Sequence, residues 1–108
     1  MNLMKKEVIA SMIDHTLLSP VAGVREIVRL CQEAKKYGFG AVCVNPSYVA
    51  VCKKELEYSN VKTCTVVGFP LGAITTQDKV SETVNAVLNG ADEIDMVMNI
   101  GWLKDKKY

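Results

Sequence analysis

Apolar positions along this sequence alternate between a helical spacing near 3.6 and short unbroken runs. Residues 2–10 set Leu3, Met4, Val8 and Ile9 around Lys5, Lys6 and Glu7, the pattern of a short amphipathic helix. Met12 to Leu18 reads as a strand entering a loop at Ser19-Pro20. From Val24 the spacing is helical, with Val24, Ile27, Val28, Cys31 and Ala34 on one face and Arg25, Glu26, Arg29, Gln32 and Lys36 on the other. Gly38 is placed to end that helix as a left-handed cap. Ala41-Val42-Cys43-Val44 is a compact apolar strand, and Ser47 is expected to cap a helix that buries Tyr48, Val49, Cys52 and Leu56. Lys62 to Val67 is rich in β-branched residues and runs into the loop Gly68-Phe69-Pro70-Leu71-Gly72. Thr75 and Asp78 have capping-box spacing, ahead of a helix expected to bury Val80, Val84, Val87 and Leu88. Glu93 to Met98 is the last strand, and Trp102 to Tyr108 opens a further helix.

A helix, then repeated strand–helix units with short connections and apolar central strands, signals an α/β fold with a parallel sheet. Two architectures fit that order. One is a small open doubly wound sheet; the other is half of an eight-stranded barrel, which typically needs about 250 residues. The periodicity does not separate them. The 108 residues contain no linker or low-complexity stretch, so residues 1–108 are expected to form a single unit without a second domain.

Composition narrows the partners. Thirteen Lys+Arg against twelve Asp+Glu leave a formal charge of +1, without the basic surplus that nucleic acid or an anionic membrane demands. No window carries the roughly 18 apolar residues of a membrane span. The opening residues lack a secretory pattern, which points to the cytoplasm. Cys31, Cys43, Cys52 and Cys64 are separated by 12, 9 and 12 residues, and His15 is the sole imidazole. Zinc ligands usually come in close pairs, so no metal is expected, and the cysteines are read as reduced, small hydrophobes.

In parallel α/β folds chemistry gathers at the carboxyl ends of the strands. Counting by the two-residue strand period puts Asp14 and Thr16 on one face of the first strand and Cys43 and Asn45 on one face of the second. Asp95, Val97 and Asn99 share a face of the last. These polar sets are expected to converge. Asp95 stands among Ile94, Met96, Val97 and Met98, so it is expected to lose solvation and to need a cation, donors or a raised pKa, unless it caps a loop backbone. His15 falls on the packing side and reads as structural. Cys43 is core filler or a reactive thiol. The Gly68–Gly72 loop lacks the spacing of a phosphate loop.

Four ordered stretches carry a resemblance: Ile13-Asp14-His15-Thr16-Leu17-Leu18, Ala41-Val42-Cys43-Val44-Asn45-Pro46, Val66-Val67-Gly68-Phe69-Pro70-Leu71-Gly72 and Gly90-Ala91-Asp92-Glu93-Ile94-Asp95-Met96-Val97. Together they resemble the amino-terminal half of the deoxyribose-phosphate aldolases. That resemblance implies a TIM (β/α)8 barrel, of which this chain supplies an amino-terminal helix and about the first four units. It implies a lyase without metal or other cofactor, reversibly cleaving 2-deoxy-D-ribose 5-phosphate to D-glyceraldehyde 3-phosphate and acetaldehyde. A lysine Schiff base is the electron sink, and a second lysine depresses the first one's pKa.

Matched by motif, Asp95 corresponds to the family's proton-relay acid and Asp14 to a carboxylate of the polar network. Thr16 and Leu18 correspond to substrate-pocket residues, and Cys43 to a thiol beside the aldehyde. The family's two lysines and its phosphate loops fall on later strands, beyond Tyr108, and Lys62, Lys79 and Lys104 match no lysine motif. The chain alone is therefore expected to be inactive and to partner a carboxyl-terminal half or further copies of itself. The rival expectations are a non-catalytic half-barrel that assembles, and a self-contained open-sheet binding domain.

Overall fold

Uninterrupted apolar or β-branched runs make the two central strands. Ala41–Val44 (β2) is buried at every position, and Lys62–Val67 (β3) at every position after the first. Asp14–Leu17 (β1) and Glu93–Met96 (β4) flank them, and all neighbours pair in parallel in the order β1-β2-β3-β4. A doubly wound sheet reverses its strand order at a switch point. Here the order never reverses, as in a barrel wall. The computed structural model describes residues 5–107.

The helices follow in sequence: Lys6–Ala10 (α1), Val24–Tyr37 (α2), Val49–Glu55 (α3), Thr76–Leu88 (α4) and Ile100–Lys104 (α5). The expected helix over residues 2–10 begins only at Lys6, and its Leu3 and Met4 lie outside the described residues, as does Tyr108. Gly38 ends α2 in the left-handed region, φ 69°, as its position predicts. The Thr75 side chain accepts a hydrogen bond from the Asp78 N–H at 3.2 Å, so the α4 cap is also as expected. Ser47 is not a cap. Pro46–Tyr48 forms a 3-10 turn instead, because proline suits the first helical position, and α3 starts after it without a side-chain cap.

The principal core lies between the sheet and α2 and α3. Ile27, Leu30, Cys31 and Ala34 of α2 pack with Val42 and Val44 of β2 and with Cys52 and Leu56. The buried stripe of α2 is rotated from the expected one: Leu30 is inside while Val24 is 53% exposed. Among these residues the Cys31 and Cys52 thiols share a hydrogen bond; that bond, then burial, pushes Cys52 up. Thr65, fully buried in β3, donates its hydroxyl to the Val44 carbonyl at 2.7 Å. On the sheet's other face, among the described residues, a smaller cluster forms from Ala41, Cys43, Cys64 and Val66 with Leu18 against it.

α4 departs most from expectation. Val80, Val84, Val87 and Leu88 are exposed, and only Ala86 of that helix is buried. Its apolar stripe borders an open groove of about 480 Å³, shared with Met96, Met98, Trp102 and Leu103. The amphipathic pattern is genuine, but no described residue covers it. No helix among the described residues is long and apolar enough to cross a membrane.

Candidate functional site

The strand carboxyl ends are fixed by side chains that tie loops to the sheet. Asn45, after β2, donates its amide to the Leu18 carbonyl at 3.2 Å and so holds the loop that follows β1. The Gly68 N–H donates to the Glu82 carboxylate of α4 at 3.2 Å, anchoring the turn after β3. Gly72 completes that turn at φ 68°, with a Cβ position only 2.1 Å from the Met98 carbonyl oxygen. No side chain fits there, so the turn lies directly against the segment leaving β4.

This rim encloses a cleft of about 260 Å³ on the face away from the principal core. It is lined by Asp14, Thr16, Leu18, Cys43, Val66, Phe69, Asp95, Met96 and Val97. All five residues singled out from the sequence (Asp14, Thr16, Leu18, Cys43 and Asp95) therefore meet in one place. Thr16 donates its hydroxyl to the Asp14 backbone carbonyl at 2.8 Å. Asn45 and Asn99 do not join the lining: Asn45 braces Leu18, and Asn99 accepts from the Trp102 N–H at 3.1 Å as the cap of α5. His15 points to the opposite face, 3.3 Å from the Glu33 carboxylate, with its ring centroid 4.9 Å from that of Phe39. It is structural.

Asp95 corrects one expectation. Among the described residues its carboxylate is exposed to the cleft rather than desolvated. Sequence reasoning also missed Cys64. It sits opposite Cys43 in the β2–β3 register, and its thiol, that of Cys43 and an Asp95 carboxylate oxygen all lie within 4.8 Å of one another. The face rule applied to β3 finds it, since Cys64 and Val66 alternate with Thr63 and Thr65.

Burial pushes both thiols up, outweighing their mutual hydrogen bond at Cys43, and the negative charges of Asp95 and Asp14 add to the shift. At any pH below its raised value Cys43 carries less thiolate than a free cysteine. Its alkylation by iodoacetamide is expected to be slower than that of glutathione at pH 8 and to keep accelerating beyond the ordinary thiol range, about 8.5. Peptide mass spectrometry over a pH series checks this; a rate that levels off near the ordinary value contradicts it. Since folding raises these pKa values, the stability they contribute is complete at neutral pH and is lost as pH rises through them.

Together, the one-way strand order, the helices on one side and the polar cleft at the carboxyl ends define the first part of a (β/α)8 barrel of the aldolase type. Residues 8–107 match the DeoC/LacD family aldolases, and the chain belongs to that family. It is 57% identical over 105 residues to a deoxyribose-phosphate aldolase of Clostridium kluyveri, covering 97% of this chain and 48% of that protein. A deoxyribose-phosphate aldolase of Halalkalibacterium halodurans is 58% identical over 101 residues, covering 93% and 45%. Among solved structures, the tetrameric deoxyribose phosphate aldolase of Aeropyrum pernix superposes with a TM-score of 0.84 at 37% identity, covering 90% of this chain and 42% of that one. The chain thus spans about half the length of the relatives it matches.

Proposed function

We propose that this chain forms one wall of a class I aldolase site that reversibly cleaves 2-deoxy-D-ribose 5-phosphate to D-glyceraldehyde 3-phosphate and acetaldehyde. The observation that carries the reading is the meeting of Asp14, Thr16, Leu18, Cys43 and Asp95 in one cleft at the strand ends. In this reading Asp95 transfers protons to and from the reacting carbon and oxygen atoms, and Asp14 and Thr16 hold the polar side of the substrate. Leu18 packs against its carbon chain, and Cys43 lies beside the aldehyde. No lysine lines the cleft among the described residues. The Schiff-base amine, its lysine partner and the phosphate-binding loops come from polypeptide that completes the barrel. The working assembly is cytoplasmic and oligomeric, in keeping with the tetramer of the Aeropyrum pernix relative.

A chimera in which residues 1–108 replace the matching segment of the Clostridium kluyveri relative tests this. It is expected to cleave deoxyribose 5-phosphate at a rate of the same order as its parent. A folded chimera without cleavage contradicts the reading. It would favour the alternative, a non-catalytic half-barrel, for which the open edges of β1 and β4 and the uncovered α4 groove speak.

A further inference from the structure

The concave face gathers soft and hard ligands that the proposed lyase chemistry leaves partly unused. Cys64 has no role in that reading, yet its sulfur, the Cys43 sulfur and an Asp95 oxygen lie within 4.8 Å of one another. They come from three adjacent strands. Cys43 pairs directly with Cys64, and Asp95 pairs with Val66, two residues further along β3. Sheet register, rather than a flexible loop, sets their spacing. We propose that Cys43, Cys64 and Asp95 form a binding site for a thiophilic divalent cation of the zinc class.

Three observations support the site. First, tetrahedral zinc has bonds of about 2.3 Å to sulfur and 2.0–2.2 Å to oxygen, which places ligand atoms roughly 3.5–3.8 Å apart. The present spread, within 4.8 Å, is close to that. Second, Cys43 and Cys64 are each 3% exposed while Asp95 faces the cleft. An ion would rest on a buried sulfur floor with its fourth position open to the cleft. Third, the carboxylates of Asp14 and Asp95 both line the cleft.

Two sulfurs and one carboxylate select zinc-like ions over magnesium or calcium, which take oxygen ligands. Binding breaks two S–H bonds, forms two metal–sulfur bonds and releases two protons to solvent, with no change of oxidation state. Affinity therefore rises with pH. Ion binding does not depend on the aldolase reading. If that reading holds, an ion here takes Asp95 out of proton transfer, and the site is inhibitory.

Cadmium is the probe. Titrated into the full chain, it is expected to give the ultraviolet thiolate-to-cadmium absorption at one ion per chain, with two protons released per ion in weak buffer and displacement by zinc. Cys43→Ser and Cys64→Ser should abolish the absorption, while Cys31→Ser and Cys52→Ser leave it intact, each variant checked for folding by circular dichroism. Asp95→Asn changes an exposed residue and tests the site even if a serine variant fails to fold; it should weaken binding about 10–100-fold. The proposal is overturned if the folded wild-type chain shows no such absorption, if the signal follows Cys31 and Cys52, or if Asp95→Asn binds as tightly as wild type.

Discussion

Asp95→Asn is expected to lower kcat for deoxyribose 5-phosphate cleavage by roughly 10²–10⁴-fold in the chimera, the span that positioned acid–base groups contribute. The substitution preserves size and hydrogen-bonding reach but removes the carboxyl proposed to transfer protons. KM should change much less than kcat, because an amide still contacts the substrate. Asp95 is suited to the task by position. It projects from β4 into the cleft shared with Asp14 and Cys43, on a strand whose pairing to β3 extends past its end through the Val97 N–H to the Val67 carbonyl at 3.0 Å. Steady-state kinetics on the chimera decide the matter, and a kcat within a few-fold of the parent would remove Asp95 from the proton relay.

Ile27→Ala carries the largest expected cost to stability, about 2–5 kcal/mol, because it empties a site 1% exposed in the middle of the α2–sheet core. Whole domains are stable by only about 5–15 kcal/mol, so this change brings the chain close to unfolding. Val84→Ala is the matched control. Val84 is as apolar, but at 52% exposure it rests on the uncovered stripe of α4 and should shift stability by no more than about 0.5 kcal/mol. Urea unfolding of the two variants measures the difference. Equal midpoints would mean that the buried layer between α2 and β2 does not form as described.

That pair of residues also shows how far a sequence can be read. Ile27 and Val84 both lie on apolar helical stripes, and spacing alone expects both inside. Periodicity reports the face a helix offers, not whether anything covers it. The central strands were legible because burial on both faces leaves an unbroken apolar or β-branched run, as in Ala41–Val44 and Lys62–Val67. Asp14, Thr16, Cys43 and Asp95 were legible by strand parity, which a parallel sheet without register slips preserves. Leu18 came from the resemblance, although it shares the parity of Asp14 and Thr16.

What escaped depended on neighbours. Leu30 replaces Val24 inside because contact with β2 and α3 sets the rotation of α2, and a stripe of mixed sizes leaves that rotation open. Ser47 looked like a cap, but Pro46 beside it makes a tighter turn. The proximity of Cys64 to Cys43 followed from sheet register, which is not a property of the residues next to them in the chain. The choice between barrel and open sheet, left undecided by periodicity, came from the family resemblance, and the uninterrupted β1-β2-β3-β4 order agrees with it.

The central claim is that this chain supplies the acid and pocket wall of an aldolase site, and that the nucleophilic amine comes from elsewhere in the barrel. Borohydride reduction of the chimera in the presence of acetaldehyde, followed by peptide mapping, tests it most directly. The account predicts a single ethylated lysine outside residues 1–108, in a peptide contributed by the Clostridium kluyveri portion. An adduct on a lysine within residues 1–108, retained when Asp95 is changed to Asn, would contradict it.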